Sequence, residues 1–484
     1  MKKILLQFIC LFIVGNLQAQ QNEWLFATTT VEYANNLKNE FPNKIEIIET
    51  KNDLVAVYVD AETSLEIKNY GNLHGPGFVY KVDKDDAIQS LHSNISPNVN
   101  ALNFTITEDT FVEQCISMVE EDNLAQTILT LEAYGTRFHN QPSGIQASLD
   151  LKTTWEDLVG QFNRDDVLVE FYEHSFTQQK SVIVTIPGLE FPEEIIVIGG
   201  HIDSGDFWNP YDAPGADDNA SGIATLTETL RILLANDFKP KRTVQIMAYA
   251  AEEIGLYGSA DIANNYSSNG KNVLAAVQFD MTNYNGSSFD IALNTDEAYT
   301  SNELNLFLIE LLEYYNSEGE HQITYGSSQC GYGCSDHVSW AENGYHAAFP
   351  MEAAFNDVSP YIHTPNDTFA SMNNDASHSV KFVKLALEFV IETAKTSQLA
   401  VIDVDENEEV SMVISDRKLV YDFSQSNVDL SSLQIFDTSA RNLISNNKLK
   451  NRGEVSLESL KNGAYIAVFK SEKGKTYSKK FLLK

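Results

Sequence analysis

"RTVQIMAYAAEE" (242–253), followed at once by "IGLYGSADIANNY" (254–266), is the stretch on which the reading of the fold turns. The first part is a largely apolar run without strict alternation, the mark of a strand covered on both faces rather than wetted on one. The second has the spacing of an amphipathic helix. Between them stand Glu252 and Glu253, two adjacent carboxylates with no cation nearby in sequence. Either they are solvated charges opening a helix, or something strongly positive sits in front of them.

The same alternation extends on both sides. "EEIIVIGGH" (193–201) and "VLAAVQFD" (273–280) read as buried strands. "SGIATLTETLRILLAN" (221–236) and "SHSVKFVKLALEFVIETAK" (377–395) read as helices. Continuous apolar strands alternating with helices predict an α/β domain over 104–398, with a mostly parallel sheet covered on both faces. Before it, 20–103 mixes strand-like pieces ("EWLFATTT", "KIEIIETKNDLVAVYVD") with a helical one ("VEYANNLKNEFP"), a small α/β domain ending in the turn-rich "SNISPNVNALNF". After it, the acidic stretch 399–415 reads as a linker, and 416–484 as a small all-β module with a hairpin at "EKGK".

The first 19 residues place two lysines before a short apolar run and a small residue, Ala19. That run is too short for a bilayer span and reads as a secretory signal peptide. An exported chain sees an oxidising compartment, so Cys330 and Cys334, four apart in "QCGYGCSDH", are expected to form a small-loop disulfide worth about 2 kcal/mol. A metal or redox pair is the alternative, and Cys115 is isolated. With 33 basic against 68 acidic residues the net charge is −35, which argues against nucleic acid or an anionic membrane as partner. In so acidic a chain a single carboxylate says little, and only a constellation counts.

Such a constellation exists. The strand ending at 201 delivers His201 and Asp203, the one ending at 253 delivers Glu252 and Glu253, and the third ends in Asp280. In doubly wound sheets, sites form beyond the carboxyl ends of the strands, so these groups converge in space. Asp217 and Asp218 in "PGADDNASG" precede a helix, where capping is the plain alternative, and His363 lies in the loop "YIHTPNDT". Histidines with carboxylates make an N/O donor set suited to zinc. No HExxH occurs, which excludes a zincin.

"GGHIDS", "APGADDNASGIA", "MAYAAEEIGLYGS", "QFDMTNY", "CGYGCSDHVSW" and "IHTPNDT" occur in the order and spacing of the secreted bacterial leucyl aminopeptidases, which 104–398 resembles. These are double-zinc exopeptidases of the Vibrio aminopeptidase type. The resemblance implies a three-layer α/β/α fold, two Zn2+ per chain, and peptide substrates with a free N-terminus. It implies Asp217 as the carboxylate bridging both ions, Glu253 and His363 on one ion, and His201 and Asp280 on the other. Glu252 would be the general base, Asp203 would orient His201, and Tyr332 would hydrogen-bond the oxyanion. Met281, Cys330, Cys334, Phe349, Met351, Phe355 and Ile362 would line an apolar pocket for the N-terminal side chain. Asn294 and Val358 depart from the larger apolar groups expected there, which leaves the preference for leucine open.

Residues 20–103 stand where this family carries a propeptide that restrains activity, with a permanent accessory domain as the alternative. The tail resembles the C-terminal sorting domains of the type IX secretion route, with a generic binding module as the alternative. Together with the signal peptide it implies export through the periplasm to the surface or the medium, with no membrane span. Glutaminyl cyclases and carboxypeptidases share the fold and are the competing activities, and a non-catalytic secreted binding protein is the competing class.

Overall fold

The computed structural model describes residues 24–483 apart from 65, 68–76, 93–101, 207–208, 397–410, 416, 424–428, 438–440, 448, 462 and 472–475. The expected signal peptide, most of the turn-rich stretch at 93–104, most of the acidic linker and the "EKGK" turn lie outside the described residues. The chain divides into two compact units, one ending at Ser397 and one beginning at Gln398.

In the first unit, β1 (Trp24–Thr30), α1 (Val31–Glu40), β2 (Ile45–Lys51), β3 (Leu54–Asp60), α2 (Ala61–Ser64), β4 (Phe78–Lys81) and α3 (Lys84–His92) come first. Their strands form an antiparallel sheet in the order β2-β3-β1-β4. The single apolar stretch at 44–60 is thus two strands, folded back at Asn52, whose φ is +54°.

Next come α4 (Asp109–Ile116), α5 (Glu121–Glu132), α6 (Pro142–Gln161), β5 (Leu168–Tyr172), β6 (Ser181–Ile186), β7 (Phe191–His201), α7 (Gly222–Ala235) and β8 (Arg242–Tyr249). They are followed by α8 (Tyr257–Ser268), β9 (Asn272–Gln278), β10 (Ile291–Asn294), α9 (Asn302–Tyr315), β11 (Tyr325–Ser328), α10 (His337–Glu342), β12 (Ala347–Ala348), β13 (Pro350–Met351) and α11 (Ser377–Ala394). The central sheet runs β12-β9-β7-β8-β6-β5. The four strands β12, β9, β7 and β8 are mutually parallel, and β6 and β5 close one edge antiparallel. A small second sheet, β11-β10-β13, stands apart.

The absence of alternation along β7 now has its cause. Ile196 and Ile198 enter a core with Leu226, Leu230, Leu233, Phe382 and Phe389 from α7 and α11. Their neighbours Ile195 and Val197 enter the opposite core with Ile262, Tyr266 and Trp340 from α8 and α10. From Ile195 to His201 every position of the strand is inside, one face or the other. The three-layer α/β/α arrangement with a mixed sheet is therefore present.

The second unit is two antiparallel sheets, β14-β15-β18 and β17-β16-β19-β20, built from β14 (Ser411–Ser415), β15 (Lys418–Asp422), β16 (Leu430–Asp437), β17 (Asn442–Asn446), β18 (Arg452–Ser456), β19 (Gly463–Ser471) and β20 (Thr476–Leu483). Leu419, Tyr421 and Phe423 meet Leu433, Ile435 and Phe469 in one core, as in a sandwich.

Candidate metal centre

His201 is the last residue of β7, and Glu252 and Glu253 open a single 3-10 turn after β8. Asp280 follows β9 by two residues. These strand ends converge, and two loop residues, Asp218 and His363, join them. Among the described residues, two groups bring donor atoms within 4.8 Å of one another: His201, Asp218 and Asp280, and Asp218, Glu253 and His363. All five residues are buried.

Asp218 belongs to both groups. Its Oδ1 lies 3.1 Å from His201 Nε2 and its Oδ2 3.0 Å from His363 Nε2. Asp280 Oδ1 is 3.2 Å from His201 Nε2, and Glu253 Oε2 is 3.2 Å from His363 Nε2. This corrects the expectation for Asp217. Its carboxylate turns the other way, accepts the Asn283 N–H at 3.0 Å and faces Glu352. The physical reason is local backbone: Asp218 has φ −101° and ψ 94° inside an irregular segment, so adjacent side chains diverge. Spacing could not have told one aspartate from the other.

Electrostatics tests whether a metal fits. Burial alone would push His201 down, but Asp280 and Glu252, with hydrogen bonds to Asp203 and Asp218, hold it well above its ordinary value. Burial likewise opposes charge on His363, yet Glu253 and Asp218 raise it to about 10. Burial would lift Asp218, and the two imidazoles instead hold it well below the usual carboxylate range. Glu252 is pushed well above it, first by burial, against the pull of His201 and helped by Asp336 and Glu253. Each imidazole is thus enclosed by carboxylates that favour positive charge beside it, an arrangement in which divalent ions can take the place of protons. Oε1 of Glu252 and Oε1 of Glu253 are buried without a hydrogen-bond partner. Buried carboxylates in this number call for a cation, and the donor set of imidazole and carboxylate suits zinc.

Asp203 places its Oδ1 3.4 Å from His201 Nδ1. Its two oxygens accept the backbone N–H groups of Glu252 (3.0 Å) and Glu253 (3.2 Å), locking the dipeptide that carries both glutamates. Ser335 Oγ donates to Asp280 Oδ2 at 2.6 Å, from the position following Cys334. Cys330 and Cys334 are disulfide-bonded, as expected, and Cys115 is free and buried.

Sequence reasoning missed Asp367 and Arg137. Asp367 sits inside the quoted "IHTPNDT", where only its hydrogen bonds distinguish it. Arg137 lies in "GTRFH", outside every motif considered, and no sequence signal marks it.

Of the expected pocket residues, Cys334, Phe349 and Met351 lie in one apolar cluster with Tyr332, and Cys330, Phe355 and Val358 pack against it. Tyr332 stacks edge-on against Phe355, ring centroids 6.0 Å apart. Met281 and Ile362 are not part of this cluster. Met281 is buried, with φ +56°, its N–H given to Asn219 Oδ1, and Ile362 is half-buried. The side-chain amide of Asn294 reaches Cys330 Sγ at 3.4 Å, so that position meets the disulfide with a polar group.

Leu25, Val57 and Phe78 of the N-terminal sheet belong to the same cluster. Tyr80 donates its N–H to Gly255 O at 2.8 Å, directly beyond the two glutamates. A Cβ on Gly255, whose φ is +112°, would come within 2.6 Å of the Phe78 ring, so both backbone and space require glycine. A Cβ on Gly333 would lie 2.8 Å from Val79 Cγ2. Lys81 forms an ion pair with Glu342. Strand β4 therefore lies between the loop after Glu253 and the disulfide loop.

The profile described as peptidase family M28 matches residues 181–388, which include all five residues of the two groups. A probable aminopeptidase of Saccharomyces cerevisiae is 32% identical over 309 residues, spanning 62% of this chain and 81% of its own. Leucine aminopeptidase 1 of Ajellomyces capsulatus is 34% identical over 285 residues, spanning 56% and 71%. The crystal structure of LapB from Legionella pneumophila superposes with a TM-score of 0.66 at 26% identity, covering 77% of this chain and all of LapB. The LapA aminopeptidase of the same organism gives 0.64 at 28%, covering 77% and 99%. With the paired His–carboxylate groups at the strand ends and a relative matched over four-fifths of its length, the chain belongs to peptidase family M28.

Proposed function

We propose that this chain is a zinc-dependent aminopeptidase that removes N-terminal residues, large and apolar ones by preference, from peptides. The observation that carries the reading is Asp218, shared between two His–carboxylate groups, with an unpartnered oxygen of Glu252 buried beside them. His201 and Asp280 would hold one ion, Glu253 and His363 the other, and Asp218 both. When bound, two zinc ions would supply Lewis acidity and lower the pKa of a water. Glu252, which is in neither group, takes the proton of the attacking water and returns it to the leaving amine. Tyr332, fixed beside the disulfide, donates to the developing oxyanion. The apolar cluster around Phe349 and Met351 receives the side chain of the residue removed.

The acidic site also favours a free α-amine. Leucine nitroanilide is therefore expected to be cleaved and its N-acetylated form not. Equal rates on the two would exclude an aminopeptidase, and a rate that survives exhaustive chelation would exclude the metal.

We read 20–103 as a restraining segment, 416–484 as a sorting module, and the chain as exported. Among the described residues no helix is long and apolar enough to cross a membrane. The second unit contributes no residue to either His–carboxylate group. Deleting 416–484 is expected to leave the purified activity unchanged while holding the protein in the native cell envelope. A shortened protein that reached the medium normally would remove the sorting assignment.

A further inference from the structure

The two ligating histidines are each followed closely by an aspartate that performs the same task. Two residues after His201, Asp203 takes the N–H groups of Glu252 and Glu253. Four residues after His363, Asp367 takes those of Asp217 and Asp218 through Oδ1 and Oδ2, both at 3.0 Å. Its own carbonyl accepts a third, from Ala216, at 3.0 Å. Three successive N–H groups of the segment carrying Asp218 thus end on one residue of the His363 loop.

Arg137 joins the two halves. The guanidinium is wholly buried and donates Nε–H to Ile202 O (2.9 Å), between His201 and Asp203. Its other nitrogens donate to Pro214 O (2.6 Å) and Gly215 O (2.8 Å), just ahead of the clamped segment. Asp367, Asp218, Asp203 and Glu253 are the carboxylates that surround it electrostatically. It is a buried cation behind the site, while burial and the neighbouring Asp217 carboxylate push Asp367 well above the usual carboxylate range against the pull of the two N–H groups it accepts.

We infer that Asp367 is a positioning residue for the shared carboxylate: it sets the place of Asp218 relative to His363, as Asp203 sets that of Glu253 relative to His201. The inference rests on the two-ion reading above. Neither oxygen of Asp367 is a member of the two donor groups. Its effect should therefore be felt through the backbone of Asp218, and metal affinity is the quantity that reports it. Outer partners of metal ligands typically contribute about 10- to 100-fold in affinity.

The test is a chelator-competition titration of zinc on the full chain and on Asp367→Asn, with kcat and KM measured at saturating zinc. Asparagine keeps one acceptor and turns an amide NH2 toward the other N–H. The expected result is weaker binding of the more loosely held ion by about 10- to 100-fold. At saturating zinc, kcat should fall and KM change little, because the substrate pocket is untouched. Should Asp367→Asn fail to fold by circular dichroism in the zinc-free state, Asp367→Glu replaces it, keeping the carboxyl group and both acceptors one methylene further out. Its expected loss is smaller but in the same ion. A folded variant with both zinc affinities unchanged overturns the inference and leaves the two-ion reading standing. A natural chain that takes up fewer than two zinc ions overturns that reading itself.

Discussion

Glu252→Gln is expected to keep both zinc ions while kcat falls by about 10²- to 10⁴-fold, the usual size of a general-base effect. Glutamine is nearly isosteric and removes only the capacity to take a proton. Glu252 lies in neither donor group, and its backbone N–H is already held by Asp203. KM should change little, since the missing interaction acts in the transition state. Glu253→Gln should behave differently. It removes an anionic donor facing His363, so one ion binds more weakly and added zinc restores part of the rate. Metal analysis of both variants across a zinc titration decides the matter. Zinc lost from Glu252→Gln and kept in Glu253→Gln would exchange the two roles. No change in rate or metal in either would remove the pair from the reaction and from metal binding.

The second large effect concerns the N-terminal sheet. A chain beginning near residue 104 should show kcat/KM about 10- to 100-fold above one beginning at residue 20. Phe78 is buried at 1% exposure in the cluster that contains Tyr332, Cys334, Phe349 and Met351. Fully burying a phenylalanine is worth about 1.5–3 kcal/mol, and each 1.4 kcal/mol is tenfold in an equilibrium. On the proposal that this cluster receives the N-terminal side chain, an apolar substrate would compete with that ring. Phe78→Ala in the full chain should recover part of the gain without proteolysis. Rates measured before and after limited proteolysis, with removal of the segment verified by mass, provide the check. Unchanged activity after verified removal would make the sheet a permanent accessory domain.

Much of this was legible in the sequence because the sheet is buried on both faces. Runs such as Ile195–Ile198 announce a strand by composition alone, and a polar residue at the end of such a run announces an edge where chemistry can sit. Hence His201, Glu252, Glu253 and Asp280 were identifiable together, as polar groups gathered at one edge of the sheet. The choice between Asp217 and Asp218 was not legible, because adjacent residues in an irregular segment are separated only by backbone angles. Arg137 was not legible either. It works by donating to carbonyls, and a carbonyl leaves no mark in sequence. The split of 44–60 into two strands was hidden by a turn of Asn52 and Asp53, short enough to pass for a polar break in one strand.

The double-sided burial of β7 also limits how this protein can change in length. Side chains alternate along a strand with a period of two, so one inserted or deleted residue turns every later side chain to the opposite face. Within Ile195–His201 such a change would exchange the contents of two packed cores and rotate the imidazole away from Asp218. At the other end the pairing of β7 with β8 already slips between Phe191 and Ile195, where the side chains are exposed or half-buried. Insertions and deletions should therefore be admissible around Phe191–Glu194 and lethal a few residues later. A library of single-residue indels scanned along 189–203 would show that boundary as a step rather than a slope.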